Sequence, residues 1–149
     1  MMRPGCDMAA DAGRPMDDKP QPNTTNAMVA SPSVSTREAI RAAVMTLPGM
    51  RVAACAADHS AIASALAAEQ PRVLVIDMTP PDSEALALIR WIRQAHPAVA
   101  ILAVALSGRQ RQVALAAGAD GAVLLTAQVA QVAEAMAHII GRDRPDVSP

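Results

Sequence analysis

Along the chain, short runs of consecutive apolar residues alternate with segments in which apolar residues recur every three or four positions. The runs are "AMVA" (Ala27–Ala30), "RVAACA" (Arg51–Ala56), "RVLVID" (Arg72–Asp77), "VAILAVAL" (Val99–Leu106) and "GAVLL" (Gly121–Leu125), and each predicts a strand. The segments "STREAIRAAVMTL", "DHSAIASALAAEQ", "SEALALIRWIRQAH", "RQRQVALAA" and "AQVAQVAEAMAHII" predict the helices that follow them in turn. Ser35 or Thr36 can cap the first helix, with Glu38 in its first turn. Its apolar stripe is Ala39, Ile40, Ala43, Val44 and Leu47, and Pro48 and Gly49 stop it. Asp58 or Ser60 can cap the second, which Pro71 terminates, while Pro97, Gly118 and Gly141 close the other three. On the last helix, Val129, Val132, Ala133, Met136, Ile139 and Ile140 fall on one face.

The middle strands are apolar at every position rather than at alternate ones. Both faces of their sheet must then be covered, which predicts an α/β fold: a flavodoxin-like, doubly wound parallel sheet of five strand–helix units. In such sheets, sites form beyond the carboxyl ends of the strands. Asp77 ends the third strand, so it stands where chemistry would occur. Residues 1–26 are rich in Pro, Asp, Asn and Thr without periodicity and read as a disordered leader, with Met8, Met16 and Met28 as alternative starts. Residues 27–141 form the expected folded domain, and "RDRPDVSP" (142–149) is a polar tail.

Composition narrows the function. Phe and Tyr are absent and Trp91 is the sole aromatic of the 149 residues, so bases have no stacking platform. Basic and acidic side chains number 13 and 14, with eight of each between Ala27 and Gly141, which argues against direct nucleic-acid binding. No apolar run reaches the ~18 residues that span a bilayer, and the start lacks the apolar core of a secretory signal. Cys6 in the leader and Cys55 in an apolar run offer no zinc spacing and suit a reducing compartment. A cytoplasmic protein without a membrane partner is expected.

"REAIRAAVMTLPGMRVAACAAD", "VLVIDMTPPDSEALALIRWIRQAHP" and "AAGADGAVLL" together resemble the receiver domain of bacterial two-component response regulators, particularly those that precede a helix-turn-helix output domain. The second stretch looks like the phosphoacceptor strand, loop and third helix, with Pro81 four residues after Asp77; the third looks like the run before the fifth strand. The resemblance implies an aspartate that takes a phosphoryl group from a histidine kinase. It also implies magnesium held by acids after the first strand. A hydroxyl ending the fourth strand and a lysine after the fifth would bind the phosphoryl oxygens, and an aromatic residue on the fifth strand would follow the hydroxyl inward.

Carried over position by position, the acidic pair becomes Ser31 and Pro32, the hydroxyl Ala105, the aromatic Ala122 and the lysine Leu125. Only Asp77 keeps its type. The chain's single lysine, Lys19, lies in the leader, and no carboxylate occurs between Asp18 and Glu38. "MDDKP" (Met16–Pro20) mimics the missing acids but follows no apolar strand. The leading expectation is therefore a degenerate, stand-alone receiver-like domain that signals by protein contact, without a cofactor and without enzymatic activity. One alternative is a phosphorylatable single-domain regulator using Asp77 and magnesium. Another is a flavodoxin-like small-ligand binder.

The partner would be a regulator or a histidine kinase, with self-association as a homodimer also open. The family's output surface, formed by the fourth helix, fifth strand and fifth helix, is the expected contact, and Arg109 and Arg111 lie on that helix. Other features have plainer readings. Asp82 and Glu84 suit the start of a helix, "AGADG" is a helix stop, and His59, His96 and His138 are dispersed. Met45, Met50 and Met136 read as core filler, and Trp91 between Arg90 and Arg93 is equally readable as packed or exposed.

Overall fold

The chain is described by a computed structural model covering residues 24–78, 82–127 and 129–141, so that most of the leader, Pro81 and the polar tail lie outside the described residues. Strands and helices alternate as the periodicities predict: β1 (Thr25–Ala30), α1 (Val34–Met45), β2 (Met50–Ala56), α2 (His59–Glu69), β3 (Val73–Asp77), α3 (Asp82–Ala95), β4 (Ala100–Ala105), α4 (Gly108–Ala117), β5 (Gly121–Leu124) and α5 (Val129–Gly141). The sheet has the order β2-β1-β3-β4-β5, and its β1–β2, β3–β4 and β4–β5 pairs run parallel. By contacts the chain divides into two compact units, which meet in sequence between Pro71 and Arg72.

In the first unit, β1 starts at Thr25, two residues before the expected run, because the Thr25 N–H already donates to the Gly49 carbonyl at 2.7 Å. The β1–β2 register shifts between Ala27 and Met28, leaving Ala53 as the extra residue. The cap of α1 is Ser33, not Ser35 or Thr36. Ser33 is extended, and its Oγ accepts from the Thr36 N–H at 3.3 Å, which places both predicted caps inside the helix. The buried face of α1 carries Ile40 and Val44, with Leu47 beyond its end; Ala39 of the predicted stripe is exposed, and Arg37 takes the place one turn before Ile40. Asp58 caps α2 as anticipated, accepting from the Ala61 N–H at 2.8 Å. Cys55 is buried at the end of β2.

In the second unit, β3 and β4 are buried along their whole length, which is why the sequence shows no alternation there. Leu74, Ile76, Ile101 and Leu102 of the strands and Ile89, Ile92, Met136 and Ile139 of the helices are among its largest fully buried side chains, and none is aromatic. Of the expected methionine filler only Met136 is buried; Met45 is 41 % exposed, and its sulfur accepts from Arg41 Nη1. Met28 and Met78 fill the core instead, because they sit in and directly after apolar strands. Gly141 forms the last residue of α5 rather than the stop after it.

Gly118 closes α4 with φ 127°, and a Cβ there would lie 3.4 Å from the Cβ and Cγ of Arg93. Both strain and crowding oppose a side chain. Gly118→Ala is therefore expected to lower stability by about 1–2 kcal/mol, read as a lower urea midpoint with an unchanged slope.

Candidate functional site

Asp77 is the last residue of β3, paired in register with Val104, and is 3 % exposed. The next N–H, that of Met78, donates to the Val104 carbonyl at 2.9 Å, so the chain stays tied to β4 just past the carboxylate. At the end of β4, the position expected for a switch hydroxyl is filled by the methyl group of Ala105, which is fully buried. Its carbonyl accepts from the Leu125 N–H at 2.8 Å, which sets Leu125 beside the end of β4. Leu125 has no ammonium to offer, and it is 43 % exposed, like its neighbours Leu106 (50 %) and Leu124 (36 %). Ala122, the position expected for an aromatic, is half-buried in β5.

A buried amide occupies this end of the unit, and it was not singled out from the sequence. Ser107 caps α4, and Gln110, three residues on, sends its side chain backward. Gln110 Oε1 accepts from the Leu106 N–H at 2.8 Å, and Nε2 donates to the Met78 carbonyl at 3.0 Å and to Asp82 Oδ2 at 3.4 Å. The spacing Ser-x-x-Gln before an amphipathic helix was the available signal, since it is the pattern of a reciprocal cap. Here the glutamine reaches one residue further back than that pattern requires. Asp82 also receives Arg109 Nη1 at 3.3 Å, so it links α3 to α4 as well as starting its own helix.

In the first unit, Ser31 and Pro32 follow β1 directly. Ser31 is 2 % exposed, its N–H donates to the Ala56 carbonyl at 3.0 Å, and its Oγ accepts from the Ser33 N–H at 3.1 Å. Arg37 is 3 % exposed, and its Nη1 donates to the Ser31 carbonyl at 2.9 Å. The end of β1, where the receiver resemblance places cation-holding acids, thus carries a buried guanidinium. Magnesium is the ion that resemblance implies, and these residues do not fit it. Ser31 and Pro32 stand where carboxylates would be needed, and the described residues include no group of three His, Cys, Asp or Glu side chains able to hold a metal.

On the other flank of the second unit, Arg111, Leu124, Thr126, Gln131 and Glu134 line a cavity of about 340 Å³ between α4, β5 and α5. Arg111 is thus part of a concave surface. Arg109, with 73 % of its side chain exposed, is engaged with Asp82 instead. Trp91 is half-buried and packs edge-on against His96, with ring centroids 5.5 Å apart.

No family model and no curated relative matches the chain. Solved structures do match. A two-component response regulator of the LuxR family from Aurantimonas sp. SI85-9A1 superposes with a TM-score of 0.72 at 28 % identity, over 84 % of this chain and 93 % of that one. The fold is that of a response-regulator receiver domain. The signal receiver domain of the response regulator NarL from Mycobacterium tuberculosis matches its whole length to 81 % of this chain, with a TM-score of 0.70 at 20 % identity. The isolated receiver domain of RcsB from Salmonella enterica serovar Typhimurium, solved with the phosphomimetic BeF3-, gives 0.70 at 20 % identity over 82 % of this chain and 92 % of that one. Against a longer RcsB response regulator from Salmonella typhimurium, the chain spans 58 % of the length. Asp77 ends β3, Ala105 ends β4, Ala122 lies within β5 and Leu125 directly follows it.

Proposed function

We propose that the chain is a receiver-fold signalling module that acts by binding a protein partner and does so without a phosphorylation switch or enzymatic turnover. The end of β4, one residue past the sheet partner of Asp77, carries this reading, because it presents a buried methyl group and no hydroxyl. Leu125 agrees with it, since its side chain cannot bind a phosphoryl oxygen either.

The α4, β5 and α5 surface with its concave patch at Arg111 is the contact this reading favours, with a regulator, a histidine kinase or a second copy as partner. A cytoplasmic location belongs to the same proposal. Among the described residues no helix is long and apolar enough to cross a membrane.

The retained carboxylate at the end of β3 favours the second reading, a phosphorylatable regulator. Incubating the full chain with magnesium and a small phosphodonor separates the two. Intact-mass spectrometry is expected to show no phosphoryl adduct, whereas an adduct present in the wild type and absent in Asp77→Asn would establish the second reading.

A further inference from the structure

Four polar or charged side chains are buried among the described residues, and the bonds of one of them, Gln110, run to two separate loops. Its acceptor oxygen serves the Leu106 N–H in the loop after β4. Its donor nitrogen serves the Met78 carbonyl in the chain directly after Asp77, and more weakly Asp82 at the start of α3. A primary amide has both donor and acceptor functions, so one neutral side chain satisfies an N–H, a carbonyl and a carboxylate at once. Glutamate would keep the acceptor and lose the donors; leucine would lose both.

The backbone of Gln110 is also fixed, since its N–H donates to the capping Ser107 Oγ at 3.2 Å. Arg109 tightens the same junction through Asp82. At 6 % exposure, water cannot readily take the place of these bonds.

We propose that Gln110 is a permanent latch. It ties the β4–α4 loop to the chain that follows Asp77, so a neutral amide sets the position of that loop independently of any change of charge at Asp77. This deepens the reading above and rests on it, because a latch of this kind holds the output side of the fold in one arrangement.

Amide hydrogen exchange on the full chain tests it. In Gln110→Leu the Leu106 amide is expected to exchange about tenfold faster, the size of one lost bond to a part-buried donor. The Ile101 amide, held by Asp120 Oδ2 at the other end of β4, serves as the internal reference and should not change. In Gln110→Glu the acceptor for Leu106 remains, so Leu106 should lose less protection than in Gln110→Leu. A Leu106 rate in Gln110→Leu within about twofold of wild type overturns the latch. If Gln110→Leu loses Ile101 protection as well, Gln110→Glu decides: a loss at Leu106 exceeding that at Ile101 supports the latch, and equal losses overturn it.

Adding magnesium and a phosphodonor to the wild type separates this inference from the functional reading. An adduct at Asp77 with Leu106 exchange unchanged removes the functional reading and leaves the latch in place. Faster Leu106 exchange on adduct formation overturns the latch.

Discussion

Asp120→Ala lowers the stability of the chain by about 3 kcal/mol, the cost expected when one partner of a largely buried charged pair is removed. Asp120 lies just before β5, with a tenth of its side chain exposed. Its Oδ2 accepts from the Ile101 N–H at 2.8 Å and pairs with Arg93 Nη2. Arg93 in turn donates to the carbonyls of Gly118 at 3.1 Å, Pro97 at 3.1 Å and Val99 at 3.3 Å. One ion pair therefore gathers the end of α3, the start of β4 and the turn after α4. Alanine at 120 strands an N–H inside the sheet and a guanidinium with 26 % of its side chain exposed. The check is a urea titration followed by circular dichroism. Asp120→Asn, which keeps an oxygen acceptor for Ile101, should lose less, and a midpoint for Asp120→Ala equal to wild type would refute the account.

Leu102→Ala is expected to cost as much or more, about 3–5 kcal/mol. Leu102 is fully buried at the centre of β4, paired with Val75 on one side and Gly121 on the other. The cost of such a truncation depends on how far the neighbours can collapse into the space. Here Gly121 has no side chain to lend, although its Cα approaches closely enough that a Cβ would lie 3.4 Å from Leu102 Cδ1 and 3.0 Å from Ile139 Cγ2. Nor does the core contain a large ring that could pivot inward. Leu102→Met, which conserves volume, should lose less than half as much in the same titration.

The fold was legible because its signals are local and redundant. Val73 to Asp77 and Ala100 to Ala105 are apolar at consecutive positions for the reason that both sheet faces are covered, and that reason leaves few architectures open. Helix starts were less legible. Ser31, Ser33, Ser35 and Thr36 offer several hydroxyls near one terminus, and only the extended backbone at Ser33 decides among them. That Ala105 and Leu125 carry no hydroxyl or ammonium could be read from the chain, since both are apolar wherever their side chains point.

Arg37 and Gln110 are a different matter. Helical spacing sets Arg37 on the same face as Ile40 and Val44, three and seven residues away, but a charge on an apolar stripe is ordinarily assigned to its edge. Its burial depends on the Ser31 carbonyl being within reach, and Gln110 depends likewise on Met78, which lies 32 positions earlier. Bonds between distant backbone groups and a side chain leave no periodic trace in a sequence. The Arg93–Asp120 pair, 27 positions apart, escaped for the same reason.

A methyl group has no charge to gain or lose. The contact that Ala105 withholds at the end of β4 cannot be supplied by a kinase or removed by a phosphatase, so on the reading proposed here the module has no off position of its own. The quantity left to convey information is its abundance: the message would be written by synthesis and turnover of the chain, and read by its partner as a dose.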